Sequence, residues 1–449
     1  MKAYDVRGLV PQQLNADVAG AIGSAFADLM AQEGAQSIVV AHDMRDSSPE
    51  LANAFARGVT QRGLNVVNVG LGSTDLLYYA AGALNMPGAM FTASHNPAQY
   101  NGIKLCRAGA APVGQDSGLA QVREAAQRLL SGSMAPSVAT PGTVTQSTVL
   151  EDYAAHLHTL VPLAKIRPLK VVVDAGNGMA GYTVPAVFKD LPLTVIPLYF
   201  ELDGTFPNHE ANPLEPANLR DLQAAVREHQ ADIGLAFDGD ADRCFVVDEN
   251  GDAVSPSAIT GLVALRELDK HPGATIIHNC ITSRAVPELV AEHGGVPVRS
   301  RVGHSFIKQE MADTGAVFGG EHSAHYYFKD FWNADTGMLA AMHVLAALGE
   351  QDTPLSSLAK EYERYVASGE INSTVDDQAE ALNRVKATFS DADIDELDGL
   401  TSSFSDGSWF NLRASNTEPL LRLNAEAPQA ERMAQLRDAV LAIVRESNS

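Results

Sequence analysis

The chain has 449 residues with 32 basic and 55 acidic side chains, which give a formal net charge of −23. A charge of that sign excludes a surface built to bind nucleic acid or an anionic membrane, because either partner would be repelled. The length predicts about three domains at roughly 150 residues each, and the hydrophobic fraction of 45% is typical of a globular protein. If the substrate is a small anion, basic residues must be concentrated around it.

In chain order, short apolar runs rich in β-branched residues alternate with stretches of helical period. The predicted strands are 37–41, 66–69, 88–92, 170–173, 194–199, 233–237, 274–277, 296–298 and 316–318, and the predicted helices are 49–62, 75–84, 149–160, 184–188, 218–230 and 258–268. A strand that is apolar throughout and lies between helices is buried on both faces, which indicates the α/β class. Residues 131–146 are rich in Ser, Pro, Gly and Thr without a period, so we predict a linker there.

The pattern changes near Gly369. Strands are predicted at 371–375, 409–413 and 420–424, with one helix ending near Phe389 and another at the C-terminus. Antiparallel strands with helices set apart from them indicate a smaller α+β domain, so the predicted number of domains rises to four. Their predicted bounds are 1–135, 147–252, 253–366 and 369–449.

The cysteines and the apolar segments predict a cytoplasmic protein. Cys106, Cys244 and Cys280 show no paired spacing, so they fit neither a disulfide framework nor a zinc site. The N-terminal residues show no secretory signal, and the longest mostly apolar run, Met338–Leu348, is too short to span a bilayer.

Three aspartates at alternate positions, Asp238, Asp240 and Asp242, follow an apolar strand directly and precede Arg243. On a tight loop their oxygens can converge on a hard divalent cation. An acidic surface turn is the alternative, whereas an EF-hand fails because Arg243 stands where that loop needs glycine. An arginine beside such a cluster indicates a phosphorylated ligand near the metal.

Ser94 lies in the segment Thr92–Pro97, which follows another apolar strand. Asn and Pro favour a turn, so the serine can be presented on an exposed loop. A capping or turn serine is the alternative interpretation. Lys104 follows closely enough in the chain to share a site with Ser94.

Two later segments offer groups for binding a sugar and a phosphate. Glu321, Ser323 and His325 alternate after two glycines, which places them on one face of an extended segment. Glu321 and Ser323 can there bind sugar hydroxyls. A metal site of two histidines and one glutamate is the alternative, but this spacing makes a poor tetrahedral cage. The segment Arg413–Pro419, between two predicted strands, offers an arginine fork and further donors for a phosphate. A polar hairpin turn explains that segment equally well.

The segment Gly176–Gly181 matches the dinucleotide fingerprint G-x-G-x-x-G after a strand, with the acidic residues Glu201 and Asp203 some twenty positions later. It keeps open an NAD(P)-dependent oxidoreductase, a function of a different class. That function explains none of the other four segments.

Taken together, these segments resemble the α-D-phosphohexomutase superfamily, in its phosphomannomutase/phosphoglucomutase group. The segments that carry the resemblance follow one another along the whole chain: residues 2–8, 92–97, 238–243, 320–325 and 413–419. The resemblance implies an α/β protein with three related α/β domains and a smaller C-terminal α+β domain around a central cleft.

The resemblance implies that Ser94 carries a phosphoryl group, and that Asp238, Asp240 and Asp242 hold Mg²⁺ together with an oxygen of that phosphoserine. The phosphoryl group passes to the free hydroxyl of a hexose monophosphate. The resulting hexose 1,6-bisphosphate reorients and returns its other phosphate to Ser94. An adjacent divalent cation offsets the repulsion between the two phosphates.

The resemblance also implies roles for the residues around these loops. The residues implied beside the phosphoryl group are Arg7, His95, Lys104 and Arg243. Any of the four can be the general acid or the general base. Lys104 acts as a base only if its pKa is depressed, as Arg7 and Mg²⁺ would favour. The implied substrate contacts are Tyr4 and His304, then Glu321 and Ser323 on the 3- and 4-hydroxyls, His325, and finally Arg413, Ser415, Asn416 and Thr417 on the phosphate that is not reacting.

Two departures from the family pattern bear on specificity. Ala324 stands where many relatives have glycine, and Cys280 and Ile281 stand where some relatives carry a lysine. We therefore predict a phosphomannomutase that interconverts mannose 6-phosphate and mannose 1-phosphate. Phosphoglucomutase activity, alone or alongside, is the alternative, followed by phosphoglucosamine mutase; a phosphosugar binder without catalysis is a further class. The oligomeric state stays open.

Overall fold

Four β-sheets follow one another along the chain, and each is built from one stretch of sequence. The computed structural model describes residues 5–132, 139–415 and 420–446. The first three sheets combine parallel and antiparallel strands, whereas the fourth is antiparallel between every pair of neighbours. The predicted fold class, three related α/β domains followed by a smaller α+β domain, is confirmed.

The first sheet has the strand order β1-β5-β4-β2-β3-β6. Its central strands are parallel, and β5 returns antiparallel beside β4, so the loop between them lies at the C-terminal end of β4. The elements are β1 (Val6–Leu9), α1 (Ala16–Gln32), β2 (Ser37–His42), α2 (Ser48–Gln61), β3 (Asn65–Leu71), α3 (Thr74–Ala83), β4 (Gly88–Phe91), β5 (Tyr100–Cys106), α4 (Ala120–Leu130) and β6 (Val144–Gln146). Asn15 and Ser73 start α1 and α3 by accepting hydrogen bonds from backbone amides.

The prediction of a linker over residues 131–146 is wrong for its last three residues. Val144–Gln146 form β6, which pairs in parallel with β3 at the edge of the first sheet. All three residues of β6 are exposed, so this strand lacks the apolar pattern that marks a buried one. The middle of the predicted linker lies outside the described residues.

The second sheet has the order β11-β10-β9-β7-β8. Strand β9 is buried at every residue, and it pairs with β10 as an antiparallel hairpin whose connection is the three-aspartate loop. The elements are α5 (Leu150–Leu160), β7 (Leu169–Asp174), α6 (Ala180–Val187), β8 (Leu193–Leu198), α7 (Arg220–His229), β9 (Ile233–Phe237), β10 (Cys244–Val247) and β11 (Ala253–Val254).

The third sheet has the order β13-β12-β14-β15-β16. Its hairpin β14–β15 carries the loop from Glu321 to His325, and β14 begins two residues later than the predicted strand 316–318. The elements are α8 (Pro256–Lys270), β12 (Thr275–Asn279), α9 (Ala285–Glu292), β13 (Val296–Ser300), α10 (His304–Thr314), β14 (Phe318–Gly320), β15 (Tyr326–Phe328), β16 (Ala334–Asp335), α11 (Gly337–Gly349) and α12 (Leu355–Ala359).

The fourth sheet has the order β17-β21-β20-β19-β18. The chain enters it through β17, whose pairing with β21 is interrupted by a bulge between Ala367 and Glu370. The elements are β17 (Val366–Thr374), α13 (Gln378–Thr388), β18 (Asp393–Asp395), β19 (Leu400–Ser403), β20 (Trp409–Ala414), β21 (Leu420–Ala427) and α14 (Ala430–Arg445).

One hydrophobic core extends through the first three domains, whereas the fourth domain has a core of its own. At the junction of the three domains, the Trp332 ring lies 6.1 Å from the Tyr79 ring and stacks at 5.1 Å on His156. The first three domains are therefore packed against one another by apolar contacts. Within the described ranges, the helices are all too short or too polar to cross a membrane.

Candidate active site

Ser94 lies in the loop after β4, where two domains meet. Its Oγ donates a hydrogen bond to Oδ2 of Asp238 in the second domain, at 2.8 Å, and lies 3.2 Å from Nδ1 of His95. The backbone amide of Ser94 donates to Thr92 Oγ1, and its φ of 51° is in the left-handed region. This backbone conformation is uncommon for a residue with a side chain, and the hydrogen bond to Asp238 directs the hydroxyl toward the aspartate loop.

The three aspartates of the β9–β10 loop can hold a cation. Asp238, Asp240 and Asp242 are all buried, and one oxygen of each lies within 4.8 Å of the others. Neither Oδ1 of Asp240 nor Oδ1 of Asp242 has a hydrogen-bond partner among the residues that the structure describes. Buried carboxylate oxygens are almost always satisfied, so these two fit a hard divalent cation, for which they are the preferred ligand type.

Arg243 and Lys104 both lower the pKa values of Asp238 and Asp240, but with different outcomes. Burial raises the pKa of Asp238 to about 7, even though Nε and Nη2 of Arg243 lie within 2.9 Å of its Oδ2. Burial also acts on Asp240, but there Lys104 and the hydroxyl of Thr74 overcome it and lower the pKa. The loop thus presents one carboxylate that binds a proton easily beside one that stays charged.

Lys104 projects from β5 into the same loop. Its Nζ lies 2.7 Å from Oδ2 of Asp240 and 2.5 Å from Oδ2 of Asp242. Burial by itself would lower the pKa of Lys104, but the two carboxylates raise it well above the ordinary value. This is the opposite of the depressed pKa that a role for Lys104 as a base requires.

Arg7 and His95 complete the surroundings of the serine. Arg7 donates to Oδ1 of Asn96 and, at 2.6 Å, to Asp5. Nη2 of Arg243 lies 2.5 Å from Nδ1 of His95, which must accept that hydrogen bond. Burial and the charges of Arg243 and Arg7 lower the pKa of His95 well below its ordinary value. The imidazole is thus neutral, with its proton on Nε2.

Glu321 is a fully buried carboxylate at the start of the third-domain loop. Its Oε1 accepts from Tyr327 Oη at 2.5 Å, and its Oε2 accepts from Asn279 Nδ2 at 3.1 Å and from the amide of Gly303. Each carboxylate oxygen can accept more than one hydrogen bond. These partners fix the orientation of the side chain and leave it able to accept from a ligand hydroxyl.

The same loop turns back toward the aspartates. Ser323 Oγ lies 3.1 Å from Nδ1 of His325, and Nε2 of His325 lies 3.7 Å from Oδ1 of Asp242. Ala324 has a φ of 64° and is fully buried. The alanine therefore occupies a left-handed position that glycine adopts at lower cost, and the loop has the shape that glycine would favour.

His304 lies at the start of α10, one turn before Lys308. Burial and the charge of Lys308 lower the pKa of His304 to about 3, so the ring is neutral. Lys308 is itself buried in a salt bridge of 2.8 Å with Asp335, and an oxygen of Asp335 lies within 4.8 Å of ligand atoms of Asp242 and His325. Asp335 thus joins the site although no sequence motif marked it.

In the fourth domain, Arg413 shares a carboxylate with a second arginine. Nη2 of Arg413 lies 3.1 Å from Glu370, whose other oxygen is 3.2 Å from Nη1 of Arg422. Burial lowers the pKa of His322 in the third-domain loop, whereas the charge of Glu370 raises it and that of Arg413 lowers it further. Glu370 and Arg413 therefore lie near this loop. Ser415 follows β20, and its amide donates to the carbonyl of Leu420. Tyr4, Asn416 and Thr417 lie outside the described residues.

The dinucleotide-like segment Gly176–Gly181 packs against the aspartate loop. The amide of Met179 donates to the carbonyl of Gly239 at 2.9 Å, and the amides of residues 176, 177 and 178 also have partners within the protein. A Cβ at Gly178 would lie 2.7 Å from the same carbonyl. The glycines therefore permit close packing of two loops, and the amides needed to bind a pyrophosphate are already used.

Residues that the sequence motifs predicted are thus brought together from three domains: Ser94, His95 and Lys104, then Asp238 to Arg243, then His325. Thr74 was missed. It starts α3, and its Oγ1 donates to Oδ2 of Asp240 at 2.6 Å. A threonine in the first turn of a helix, next to the capping Ser73, is so common that its contact with Asp240 leaves no signal in the sequence.

Family models match the chain from one end to nearly the other. Three models described as phosphoglucomutase/phosphomannomutase α/β/α domains I, II and III match residues 1–130, 151–251 and 255–365, and the model of the C-terminal domain matches residues 370–443. The chain belongs to the phosphoglucomutase/phosphomannomutase family. This confirms the family predicted from the sequence motifs.

Individual relatives of this family cover almost the whole chain. A phosphomannomutase of Escherichia coli is 42% identical over 439 residues, which are 95% of this chain and 94% of the relative. A protein of Xanthomonas campestris named phosphohexose mutases is 40% identical over 430 residues with the same coverage. The crystal structure of a phosphoglucomutase/phosphomannomutase family protein from Burkholderia thailandensis gives a TM-score of 0.89 at 34% identity and covers 100% of this chain and 98% of that one.

Proposed function

We propose that the protein is a phosphomannomutase that interconverts mannose 6-phosphate and mannose 1-phosphate through phospho-Ser94 and a hexose 1,6-bisphosphate. The observation that carries the proposal is the 2.8 Å hydrogen bond from Ser94 to Asp238, which places a nucleophilic hydroxyl on a buried three-aspartate loop. The names of the E. coli relative and of the family models support the reaction class. Burial of three free cysteines suits a reducing compartment, so we include a cytoplasmic location in the proposal.

Mg²⁺ fits the oxygens of Asp238, Asp240 and Asp242, two of which are buried without a partner in the part of the chain that the structure describes. When bound there, it would supply positive charge to the phosphoryl oxygens on Ser94. Arg243 and Lys104 hold these carboxylates from the two sides. Their positive charges reduce the repulsion among the three carboxylates of this buried loop.

Proton transfer at the serine follows from the geometry of its hydroxyl. When Ser94 attacks a phosphate, Oδ2 of Asp238 is in position to take the hydroxyl proton, since the hydrogen bond is already formed. Neutral His95 lies beside the same hydroxyl, with its Nδ1 3.2 Å from Ser94 Oγ, and it accepts a hydrogen bond from Arg243. Lys104, held charged by its aspartates, serves best as a phosphate-binding cation.

The sugar and its second phosphate would be held by the third and fourth domains. Glu321 would accept from hydroxyls of the sugar, with Ser323 and His304 beside it. Arg413, with Ser415, Asn416 and Thr417, would bind the phosphate that is not reacting. The bisphosphate must reorient between the two half-reactions. The residues that contact the sugar must therefore bind it in both orientations.

Phosphoglucomutase activity is a second candidate. The relative named phosphohexose mutases is almost as similar to the chain as the E. coli phosphomannomutase. A hydroxyl that differs only in orientation at one carbon is discriminated through a few hydrogen bonds. Comparison of kcat/KM for mannose 1-, glucose 1- and glucosamine 1-phosphate decides the preferred sugar.

Intact mass and phosphopeptide mapping of the purified protein test the mechanism. We expect phosphate on Ser94, either as isolated or after incubation with glucose 1,6-bisphosphate. A protein that stays unphosphorylated after that incubation is not a mutase of this kind. A protein that binds mannose 6-phosphate without turnover and without phosphate on Ser94 is a phosphosugar binder.

A further inference from the structure

Arg45, in the turn between β2 and α2, uses all of its side-chain donors on the interior of the protein. Nη1 donates to the carbonyls of Pro97 and Tyr100, each at 3.0 Å. Nη2 donates to the carbonyls of Ser94, at 2.8 Å, and Asn96, at 2.7 Å. A guanidinium has five N–H groups, and the fifth, on Nε, is directed to Asp43. Four of the five bonds thus go to main-chain carbonyls, three in the loop that carries Ser94 and one at Tyr100, where β5 begins.

The guanidinium is fixed from behind by a buried carboxylate. Oδ2 of Asp43 lies 3.2 Å from Nε of Arg45, and Oδ1 accepts from the Arg45 amide at 3.0 Å and from Ser48 Oγ at 2.6 Å. Asn101, the second residue of β5, donates to Ser48 Oγ. Arg45 is only 2% exposed and Asp43 only 1%. The arginine therefore has a charge partner, and its geometry is determined at every donor.

The second domain covers the remaining face of this arginine. The Phe206 ring centre lies 5.1 Å from Cζ of Arg45, and a Cβ at Gly204 would lie 2.7 Å from Cα of Arg45. With its donors used and its face covered, Arg45 has no group left for a phosphate. Arg243 differs from Arg45, because it contacts the proposed metal ligand Asp238 and His95 directly.

We propose that Arg45 is a positioning residue for phosphoryl transfer, which holds the main chain of the Ser94 loop so that the serine stays in its left-handed conformation and faces Asp238. The inference rests on the proposed function, since it assumes that Ser94 carries the phosphoryl group. A residue with a side chain disfavours a φ of 51°, and a donor on the Ser94 carbonyl opposes relaxation of that peptide. Arg45 acts through the loop and does not contact the substrate.

Arg45→Lys tests the proposal. Lysine keeps the charge beside Asp43 but cannot span four carbonyls from one planar group. We expect kcat to fall between about ten- and a hundredfold, because small displacements of a nucleophile are that costly. KM for the sugar phosphate should stay within about twofold, and the rate of Ser94 phosphorylation by glucose 1,6-bisphosphate should fall with kcat. Arg62→Lys, at the Arg62–Asp28 pair between α1 and α2, is the matched control and should leave both constants unchanged.

Asp43→Asn is the second variant. It leaves the four carbonyl bonds possible but loosens the guanidinium, so a smaller fall in kcat is expected, again with KM unchanged. Circular dichroism and Tm confirm that each variant is folded, and if Arg45→Lys does not fold, Asp43→Asn decides. A folded Arg45→Lys, or failing that Asp43→Asn, with wild-type kcat overturns the proposal. So does a loss confined to KM. Absence of phosphate on Ser94 in the wild-type protein refutes the proposed function instead, before any variant is compared.

Discussion

The Nζ of Lys104 lies 2.7 Å from Oδ2 of Asp240, so that a lysine from the sheet of the first domain neutralises a carboxylate from the loop of the second. The same ammonium lies 2.5 Å from Asp242. Without Lys104, Arg243 would have to offset the charges of three buried carboxylates. Lys104 therefore stabilises the loop before a metal binds, and a bound metal must share the carboxylates with it.

Lys104→Met should make the protein depend more strongly on Mg²⁺ for its stability. Without the ammonium, the carboxylates repel one another more in the metal-free protein and attract the cation more strongly. We expect a lower Tm in EDTA, a Mg²⁺ Kd that falls about tenfold, and a larger rise in Tm at saturating Mg²⁺. Thermal unfolding across a Mg²⁺ titration measures all three.

Lys104→Arg is the control for that experiment. It keeps the positive charge near Asp240 and Asp242, so its response to Mg²⁺ should stay close to that of the wild-type protein. A Lys104→Met variant whose Tm rises no more with Mg²⁺ than the wild-type protein would show that the lysine and the metal do not compete for these aspartates.

Ser94→Ala should lose turnover by several orders of magnitude and take up no phosphate from glucose 1,6-bisphosphate. The variant lacks the hydroxyl that donates to Asp238 and has no other nucleophile at that position. Initial rates with mannose 1-phosphate, with Ser131→Ala as a surface control, measure the effect. A near-normal rate in Ser94→Ala would require a different nucleophile.

Glu321→Gln should lower kcat/KM by about ten- to a hundredfold. Hydrogen bonds to a charged group contribute about 1.5–3 kcal/mol, and the neutral amide accepts more weakly at the sugar hydroxyls. Tyr327→Phe keeps the charge but removes the 2.5 Å hydrogen bond that orients it, so a smaller loss is expected. Equal kcat/KM values in Glu321→Gln and wild type would place the sugar elsewhere.

The sequence predicted the serine loop and the aspartate loop of the candidate site because the pattern that marks each of them is local. Ser94 and the three aspartates each follow an apolar strand, and the end of a buried strand is where a loop can present side chains to a cleft. The same locality explains the accurate prediction of β2, α2 and β4, whose apolar pattern lies within the element.

The supporting residues could not be predicted because their partners are distant in the chain. The carbonyls that Arg45 binds begin 49 residues later, at Ser94, and Thr336 reaches a carboxylate 261 residues earlier, at Asp75. The sequence between β2 and α2 is typical of an ordinary polar turn. Similarly, β6 has three exposed residues and is stabilised only by pairing with β3.

Asp75 should make stability depend on pH. It is buried where three domains meet and accepts from Tyr153 at 2.6 Å and from Thr336 at 2.7 Å. Burial raises its pKa to about 6, although its hydroxyl partners act in the other direction. Because the folded pKa exceeds the unfolded one, its contribution to stability is complete below about pH 4 and is lost as the pH rises through about 6.

The shift in the pKa of Asp75 corresponds to about 3 kcal/mol between the two limits. Asp75→Asn lacks this titration, so the difference in Tm between wild type and variant should change between pH 4 and pH 7, in favour of the wild type at low pH. Tyr153→Phe removes a donor to the charged carboxylate, so the same change should move to higher pH. A pH-independent difference between wild type and Asp75→Asn would show that Asp75 has the same pKa folded and unfolded.

Gly239→Ala should separate the serine loop from the aspartate loop. Gly239 stands between Asp238 and Asp240, and a Cβ there would collide with the carbonyl oxygen of Ser94, the same atom that Arg45 binds. The expected result is a fall in kcat of at least about tenfold with a weaker Mg²⁺ response, since both loops must move by a few tenths of an ångström or more. Gly273→Ala, where a Cβ would meet open space although its φ is 80°, controls for the general cost of replacing glycine. If Gly239→Ala loses only stability, as Gly273→Ala should, and keeps its kcat and Mg²⁺ Kd, then close contact between these two backbones does not determine the geometry of the nucleophile.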